Sequence, residues 1–314
     1  MMKPLGVLIL CILLVACESP GGDSQLPNQL TVNTEDITSF GHHFNFTDQS
    51  FVKPYDIAFR SDGGDYIIQL NSEAGVRALS ADSAAFESAV LPLAPYLGDT
   101  LSTEFYVIGN RWIDSQSGAD NIMGNGNVWF IRTTDYHIVK FVALKANPDS
   151  ITFRYAVRSD NGFESDIIET VALDQDQETS YDFTTGSLAV DVSWDMAFYT
   201  IPIFVPEIGN VYMPHIALSG GTAVAVLTEG VFDDIVQIPE TITWLYDSDA
   251  ESVLGYLGLY AVLVYHPEPP YNHQVIIEHP EYIYLIRTAQ GDYKLTFDDY
   301  GAGALIFTLA ELDG

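Results

Sequence analysis

Trp194-Asp195-Met196-Ala197-Phe198 sets the reading of the whole chain, because it has an earlier counterpart in Tyr55-Asp56-Ile57-Ala58-Phe59. Each follows, at similar spacing, an aromatic-x-Phe-Thr segment, Phe44-Asn45-Phe46-Thr47 in one case and Tyr181-Asp182-Phe183-Thr184 in the other. The residues are aromatic, β-branched and small, and they alternate apolar with polar, as half-buried strands do. Further landmarks recur in the same order. Leu70-Asn71-Ser72 and Leu218-Ser219-Gly220 each lead into a small and apolar run and then to Phe86 or Phe232. Trp129-Phe130-Ile131-Arg132-Thr133 matches Tyr284-Leu285-Ile286-Arg287-Thr288, followed by Lys140 or Lys294 and a closing strand, 151–157 or 304–309. Ordered recurrence of this kind is the signature of an internal duplication.

The expected fold class is therefore all-β, with two similar antiparallel β-domains in tandem behind a lipoprotein signal and a flexible tether. Residues 158–179 accumulate Asp, Asn, Gln and Glu and lose apolar spacing, which assigns residues 40–165 to the first domain and 166–314 to the second. Residues 282–297 read as a hairpin turning at Ala289-Gln290-Gly291-Asp292, with Gly291 suited to positive φ. The uncharged stretch 253–265 reads either as a strand pair broken at Gly255 and Gly258 or as a short core helix, and is too short to span a bilayer.

At the amino end, Lys3 precedes an apolar run over residues 5–15, and Leu14-Val15-Ala16-Cys17 is a lipobox. Residues 1–16 are read as a lipoprotein signal peptide and Cys17 as the lipidation site, several acyl chains together giving firm membrane attachment. The Pro/Gly/Ser/Asn/Asp-rich residues 17–39 are read as a flexible tether. Cys11 leaves with the signal, so the mature chain has no disulfide and rests on its cores. Lys+Arg number 12 against 43 Asp+Glu, a formal net charge of −31, which excludes nucleic acid as a partner and limits membrane contact to the lipid anchor. The location expected is the cell envelope, with Glu18 after the cysteine favouring the outer membrane.

These landmarks resemble the haem-binding HmuY-like lipoprotein family. The Trp194 strand is similar to that family's Trp-Asp-Ile-Ala-Phe signature, and Ile286-Arg287-Thr288-Ala289-Gln290-Gly291-Asp292-Tyr293-Lys294 to its Ile-Arg-Thr-Ala-Asp-Gly-x-Tyr-x-Lys hairpin. Ser150-Ile151-Thr152-Phe153-Arg154-Tyr155 resembles its closing strand; in the first copy Tyr55 stands for the tryptophan and the turn Thr134-Asp135-Tyr136 lacks the glycine. The resemblance covers most of residues 40–314 in patches. It implies haem as cofactor, a non-enzymatic role in iron acquisition, and as partners haem or a haem-carrying protein and an outer-membrane receptor. Two units where the family has one leave the place of a ligand site open.

A haem site on a β-fold needs an apolar slot and one or two axial His or Met donors on loops. The second copy offers Met213 and His215, then His266 and His273, with His279 nearby; the first offers His42, His43 and Met123. Proline-flanked histidines are also ordinary loop residues. Beyond Ser159 the only cations are Arg287 and Lys294, at the positions that Arg132 and Lys140 hold in the first copy. They are read as neutralising an anionic ligand group or, with more weight, as ion-paired inside their own domain, Asp195 and Asp56 being the recurring partners. Nucleophile-elbow, zinc-helix and phosphate-loop motifs are absent from the sequence, and carboxylates are too abundant for spacing to single out a glycosidase pair. Asp174-x-Asp176-x-Glu178 and Asp247-x-Asp249-x-Glu251 have the spacing of calcium loops without the turn glycine. The alternative to haem binding is an envelope interaction or scaffold lipoprotein that keeps the fold and lacks the haem site.

Overall fold

A computed structural model of the chain describes residues 29–312 apart from 63–64, 89, 101–102, 119–120, 174–177, 190–191, 207–208 and 249–250. The signal, Cys17 and the first part of the tether lie outside the described residues, as do Asp174, Asp176 and Asp249. Every regular element described is a β-strand or a short 3₁₀ turn, so the chain is all-β.

Two sheets form the first half. One carries β6 (Arg77–Ala81), β8 (Val128–Arg132), β9 (Ile138–Asn147), β10 (Ser150–Ser159) and β11 (Gly162–Phe163) in that order, with β7 (Ile122–Met123) also on β9 and β12 (Ile167–Ala172) on β10. The other runs β14 (Ser187–Leu188), β13 (Thr179–Asp182), β4 (Ile57–Asp62), β5 (Asp65–Leu70). Their inner faces meet in a core that includes Phe59, Ile68, Trp129, Phe141, Phe153, Tyr181 and Phe183. The second half repeats the plan. One sheet runs β1 (Leu30–Asp36), β22 (Ala304–Glu311), β21 (Asp292–Gly301), β20 (Ile283–Arg287), β17 (Ala223–Leu227). The other runs β16 (Gly209–Leu218), β15 (Met196–Val205), β2 (His42–Asn45), β3 (Ser50–Val52). Between them lie Val32, Phe44, Phe46, Phe198, Ile216, Tyr284, Leu295 and Phe307.

The pairing corrects the expected division at residue 165. The amino-terminal strands β1, β2 and β3 build the second half, β1 on β22 and β2 on β15. Strands β12 and β13 build the first, on β10 and β4. The first half is thus residues 55–188, and the second is 29–52 together with 193–312. Resemblance between Phe44-Asn45-Phe46-Thr47 and Tyr181-Asp182-Phe183-Thr184 says that both strands suit the same kind of edge; it does not say which edge each one takes. A second correction falls on the tether. Residues 30–36 are a strand, with Val32 and Thr34 facing inward and Leu30 opposite Leu309. Their short alternation carries enough apolar surface to close an otherwise bare edge of β22.

Turns follow local chemistry. Asn147 Oδ1 accepts from Asp149 N at 2.9 Å and Ser150 Oγ at 3.2 Å, closing the β9–β10 hairpin. Between β21 and β22, Ala302 and Gly303 both take positive φ, as a tight hairpin turn with strand-matching twist requires. Any Cβ on Gly303 would lie 2.1 Å from Asp36 Oδ1, so glycine is needed there twice over. The expected hairpin at 282–297 is present as β20 and β21, but Gly291 does not use positive φ. Thr288 Oγ1 instead receives the Gln290 and Gly291 amides and shapes the turn. The stretch 253–265 is neither a helix nor a strand pair. Val253, Leu254 and Val262 enter the core through irregular backbone before β18 (Leu263–His266) begins.

Candidate functional site

The recurring residues make corresponding contacts. Asp56 N donates to Tyr181 O at 3.0 Å and its Oδ2 accepts from Phe183 N at 2.9 Å. Asp195 N donates to Phe44 O at 2.9 Å and its Oδ2 accepts from Phe46 N at 2.8 Å. Each buried aspartate therefore pins an aromatic-x-Phe strand to its own, and in the second half that strand comes from the far end of the chain. The expected pairing of Arg287 with Asp195 is not found, nor that of Arg132 with Asp56. The carboxylates are occupied by backbone amides, together with the Thr134 hydroxyl for Asp56.

The lysines also correspond. Lys140 Nζ donates to Phe86 O at 2.6 Å, and Lys294 Nζ to Phe232 O at 2.5 Å, each ammonium lying over the ring of the same phenylalanine. Both tie down a 3₁₀ turn, Ser83–Glu87 or Phe232–Asp234. The arginines differ. Arg132 is buried and donates to Thr200 O and Thr200 Oγ1, both at 2.7 Å, with its guanidinium 3.5 Å from the Tyr136 ring centre and 4.8 Å from that of Tyr212. It joins the two halves. Arg287 is exposed, paired with Asp292 at 2.8 and 2.9 Å and stacked over Trp244.

A second pair of recurring carboxylates escaped the sequence reading. Asp99 accepts from Leu70 N and Val107 N, both at 2.7 Å; Asp247 accepts from Leu218 N at 2.8 Å and Val253 N at 2.7 Å. The signal was present as Leu97-Gly98-Asp99-Thr100 and Leu245-Tyr246-Asp247-Ser248, a Leu-x-Asp-hydroxyl pattern in both halves. Because the Asp247 oxygens are taken by amides and the Ser252 hydroxyl, that segment does not offer an open calcium loop.

The four donors proposed for haem are not brought to one opening. Met213 and His215 lie on β16, opposite Ile201 and Tyr199. His215 Nδ1 accepts from Tyr256 N at 2.9 Å, and its ring presses on Gly255, where a Cβ would lie 2.1 Å from Cε1. His266 and His273 sit at the loop end of the hairpin formed by β18 and β19 (Gln274–Ile277), the first paired with Glu278 at 2.7 Å and the second with the Tyr265 hydroxyl at 2.6 Å. Their networks share no member with that of His215. His43 is a core residue bonded to Ala74 O at 3.0 Å, His42 packs edge-on against Phe51, His279 stacks on Tyr282, and Met123 is exposed. No group of three or more His, Cys, Asp or Glu among the described residues is arranged to hold a metal ion. An axial pair facing an apolar slot is thus missing among the described residues, and the residues present do not fit haem.

What the halves do form together is a cleft of about 500 Å³. Its walls are corresponding segments of the two halves: residues 70–72 with Leu218 and Gly220, and residues 99–100 with 247–248. On these the walls diverge. Gln69, Asn71, Glu73 and Arg77 come from the first half; Tyr199, His215 and Tyr256 come from the second, with Glu251 beside them. No family model, curated protein or solved structure matches this chain.

Burial sets the charge states around these groups. Loss of solvent pushes Asp56 up to about 7 against the pull of the Thr134 and Phe183 amides, and Asp99 up to about 6. It holds His43 down to about 4 and His215 to about 3. These two classes oppose one another. Folded Asp56 keeps a proton that the unfolded chain releases above ~3.9, so its contribution to stability falls as pH rises through that window towards 7. Folded His43 and His215 refuse a proton that the unfolded chain takes below ~6.5, so theirs falls as pH drops. The wild type should therefore vary little in stability between about pH 4 and 6.5. Asp56→Asn removes one arm, and relative to wild type it should lose stability on acidification at up to about 1.4 kcal/mol per pH unit. Urea unfolding at several pH values in this window reads the difference, and a pH-independent gap between the two proteins would reject it.

Proposed function

We propose that the protein is a non-enzymatic binding lipoprotein of the cell envelope, anchored through Cys17, which takes a small polar ligand between its two β-halves. The single observation that supports this reading is the cleft of about 500 Å³. That is the size of a small-molecule site, and it stands at a junction between packed units, where such sites concentrate. The reading is nearer to the interaction lipoprotein than to the haem carrier, since the cleft is walled by amide, carboxylate, guanidinium and hydroxyl groups. It includes the duplication: two copies of one unit, each completed by three strands of matching character, with the amino-terminal strands crossing to the second copy.

Haemin separates the two readings. Titration of the full chain is expected to give no saturable Soret shift and a spectrum that matches free haemin plus protein. A saturable shift that weakens in Met213→Ala, His215→Ala, His266→Ala or His273→Ala would restore the haem reading and remove this one.

A further inference from the structure

We propose that the cleft between the halves binds a short neutral oligosaccharide, an inference that rests on the reading of the cleft as the ligand site. The two walls differ in a way that sugars use. A pyranose has hydroxyls around its rim and flat patches of C–H on its faces. It is held by planar polar side chains at the rim and by an aromatic ring against a face.

The first half supplies the polar wall. Gln69 is half-buried and its amide has no hydrogen-bond partner among the described residues. Arg77 is fixed by Nη1 donating to Ser72 O at 2.6 Å and Val76 O at 2.8 Å, which sets the plane of its guanidinium at the cleft wall. Asn71 is held by Nδ2 donating to Tyr55 O at 3.0 Å. The second half supplies the ring, Tyr256. Tyr199 backs the wall behind it, buried over Gly75, where a Cβ would lie 3.1 Å from its ring, and beside His215. Tyr256 is half-buried on the cleft wall, its backbone fixed by the bond from its N–H to His215. Residues on both walls are thus pre-positioned, so little ordering remains to oppose binding.

Other classes suit the walls less well. Phosphate, sulfate and carboxylate ligands meet a chain of formal net charge −31 and a cleft whose carboxylates include Glu73, Asp99, Asp247 and Glu251. Wholly apolar ligands would strand the amide and guanidinium groups without partners. A neutral polyol satisfies donors and acceptors alike, since each hydroxyl is both.

The test is calorimetric titration of the detergent-solubilised full chain with cellotriose, chitotriose and maltotriose, and with triglycine as a polar probe that is not a sugar. At least one trisaccharide is expected to bind saturably at one site. Gln69→Ala and Tyr256→Ala should each weaken it ten-fold or more, with the thermal midpoint unchanged because neither side chain enters a core. Saturable triglycine binding that both substitutions weaken, with no trisaccharide binding, would overturn the sugar class and leave the cleft as the ligand site. A trisaccharide that binds both variants as it binds wild type would overturn the sugar inference and the cleft reading together. Absence of heat with all three sugars overturns the inference.

Discussion

Residues 53–190 produced alone should fold cooperatively, whereas residues 40–165 should not. The longer fragment contains both sheets of the first half and its whole core. The shorter one keeps β2 and β3, which pair with each other but have lost β15, and lacks β12 and β13. It therefore loses Val171, Tyr181 and Phe183 from the core and exposes the edges of β4 and β10. Removing a fully buried aromatic side chain costs roughly 3–5 kcal/mol. Two of them approach the whole stability of a typical domain, about 5–15 kcal/mol. The converse holds for the second half. A chain beginning at residue 53 lacks Val32, Ile37, Phe44 and Phe46, all buried, and leaves Asp195 without the Phe46 amide. Its first half should stay folded while its second half loses protection. Hydrogen exchange read by mass spectrometry distinguishes the halves. Equal protection of both in the truncated chain, or a cooperative transition in residues 40–165, would refute the crossed pairing.

The strands were legible in the sequence; their partners were not. Alternation of large apolar with small or polar residues marked β4, β15, the β20–β21 hairpin and the closing strands, because one face of each lies on a main core. Partner choice depends on which edge is left bare after the rest has packed. Two donors of matching character, residues 44–47 and 181–184, satisfied either edge equally on paper. β1 was lost for a related reason: its alternation is short and lies against a polar, proline- and glycine-rich approach. Histidine reading failed differently. A His on a strand looks like a donor until its neighbours are known, and His43 and His215 turned out to be held within packed regions, with ring nitrogens already bonded. The cleft had no sequence signal at all, since its walls are drawn from segments that the fold alone brings together.

Arg132 and Arg287 occupy the same place in their halves, yet their substitution should differ several-fold in effect. Arg132→Ala removes two charge-assisted hydrogen bonds to Thr200 and the stacking between Tyr136 and Tyr212. Hydrogen bonds to charged groups are worth about 1.5–3 kcal/mol each, so a loss of about 3–5 kcal/mol is expected, with part of it arising from the Thr200 carbonyl left buried and unpartnered. Arg132→Lys should recover less than half of this, because an ammonium lacks the planar fork that serves carbonyl and hydroxyl together while lying flat on a ring. Arg287 stands in solvent, 44% exposed beside Asp292. Exposed pairs contribute little, and Arg287→Ala should cost below about 1 kcal/mol. The unfolding profile carries the more telling sign. Arg132 spans the junction along with the bonds from Tyr136 OH to Ile37 O and from the His43 ring to Ala74 O, so the halves of the wild type should unfold together. With Arg132 removed, that coupling weakens, and the second half, which depends on a strand group from the other end of the chain, should melt first. Denaturant unfolding followed by near-ultraviolet circular dichroism should then show two transitions where the wild type shows one. Equal losses at the two arginines, with a single transition in each variant, would mean that Arg132 contributes no more to joining the halves than its exposed counterpart does.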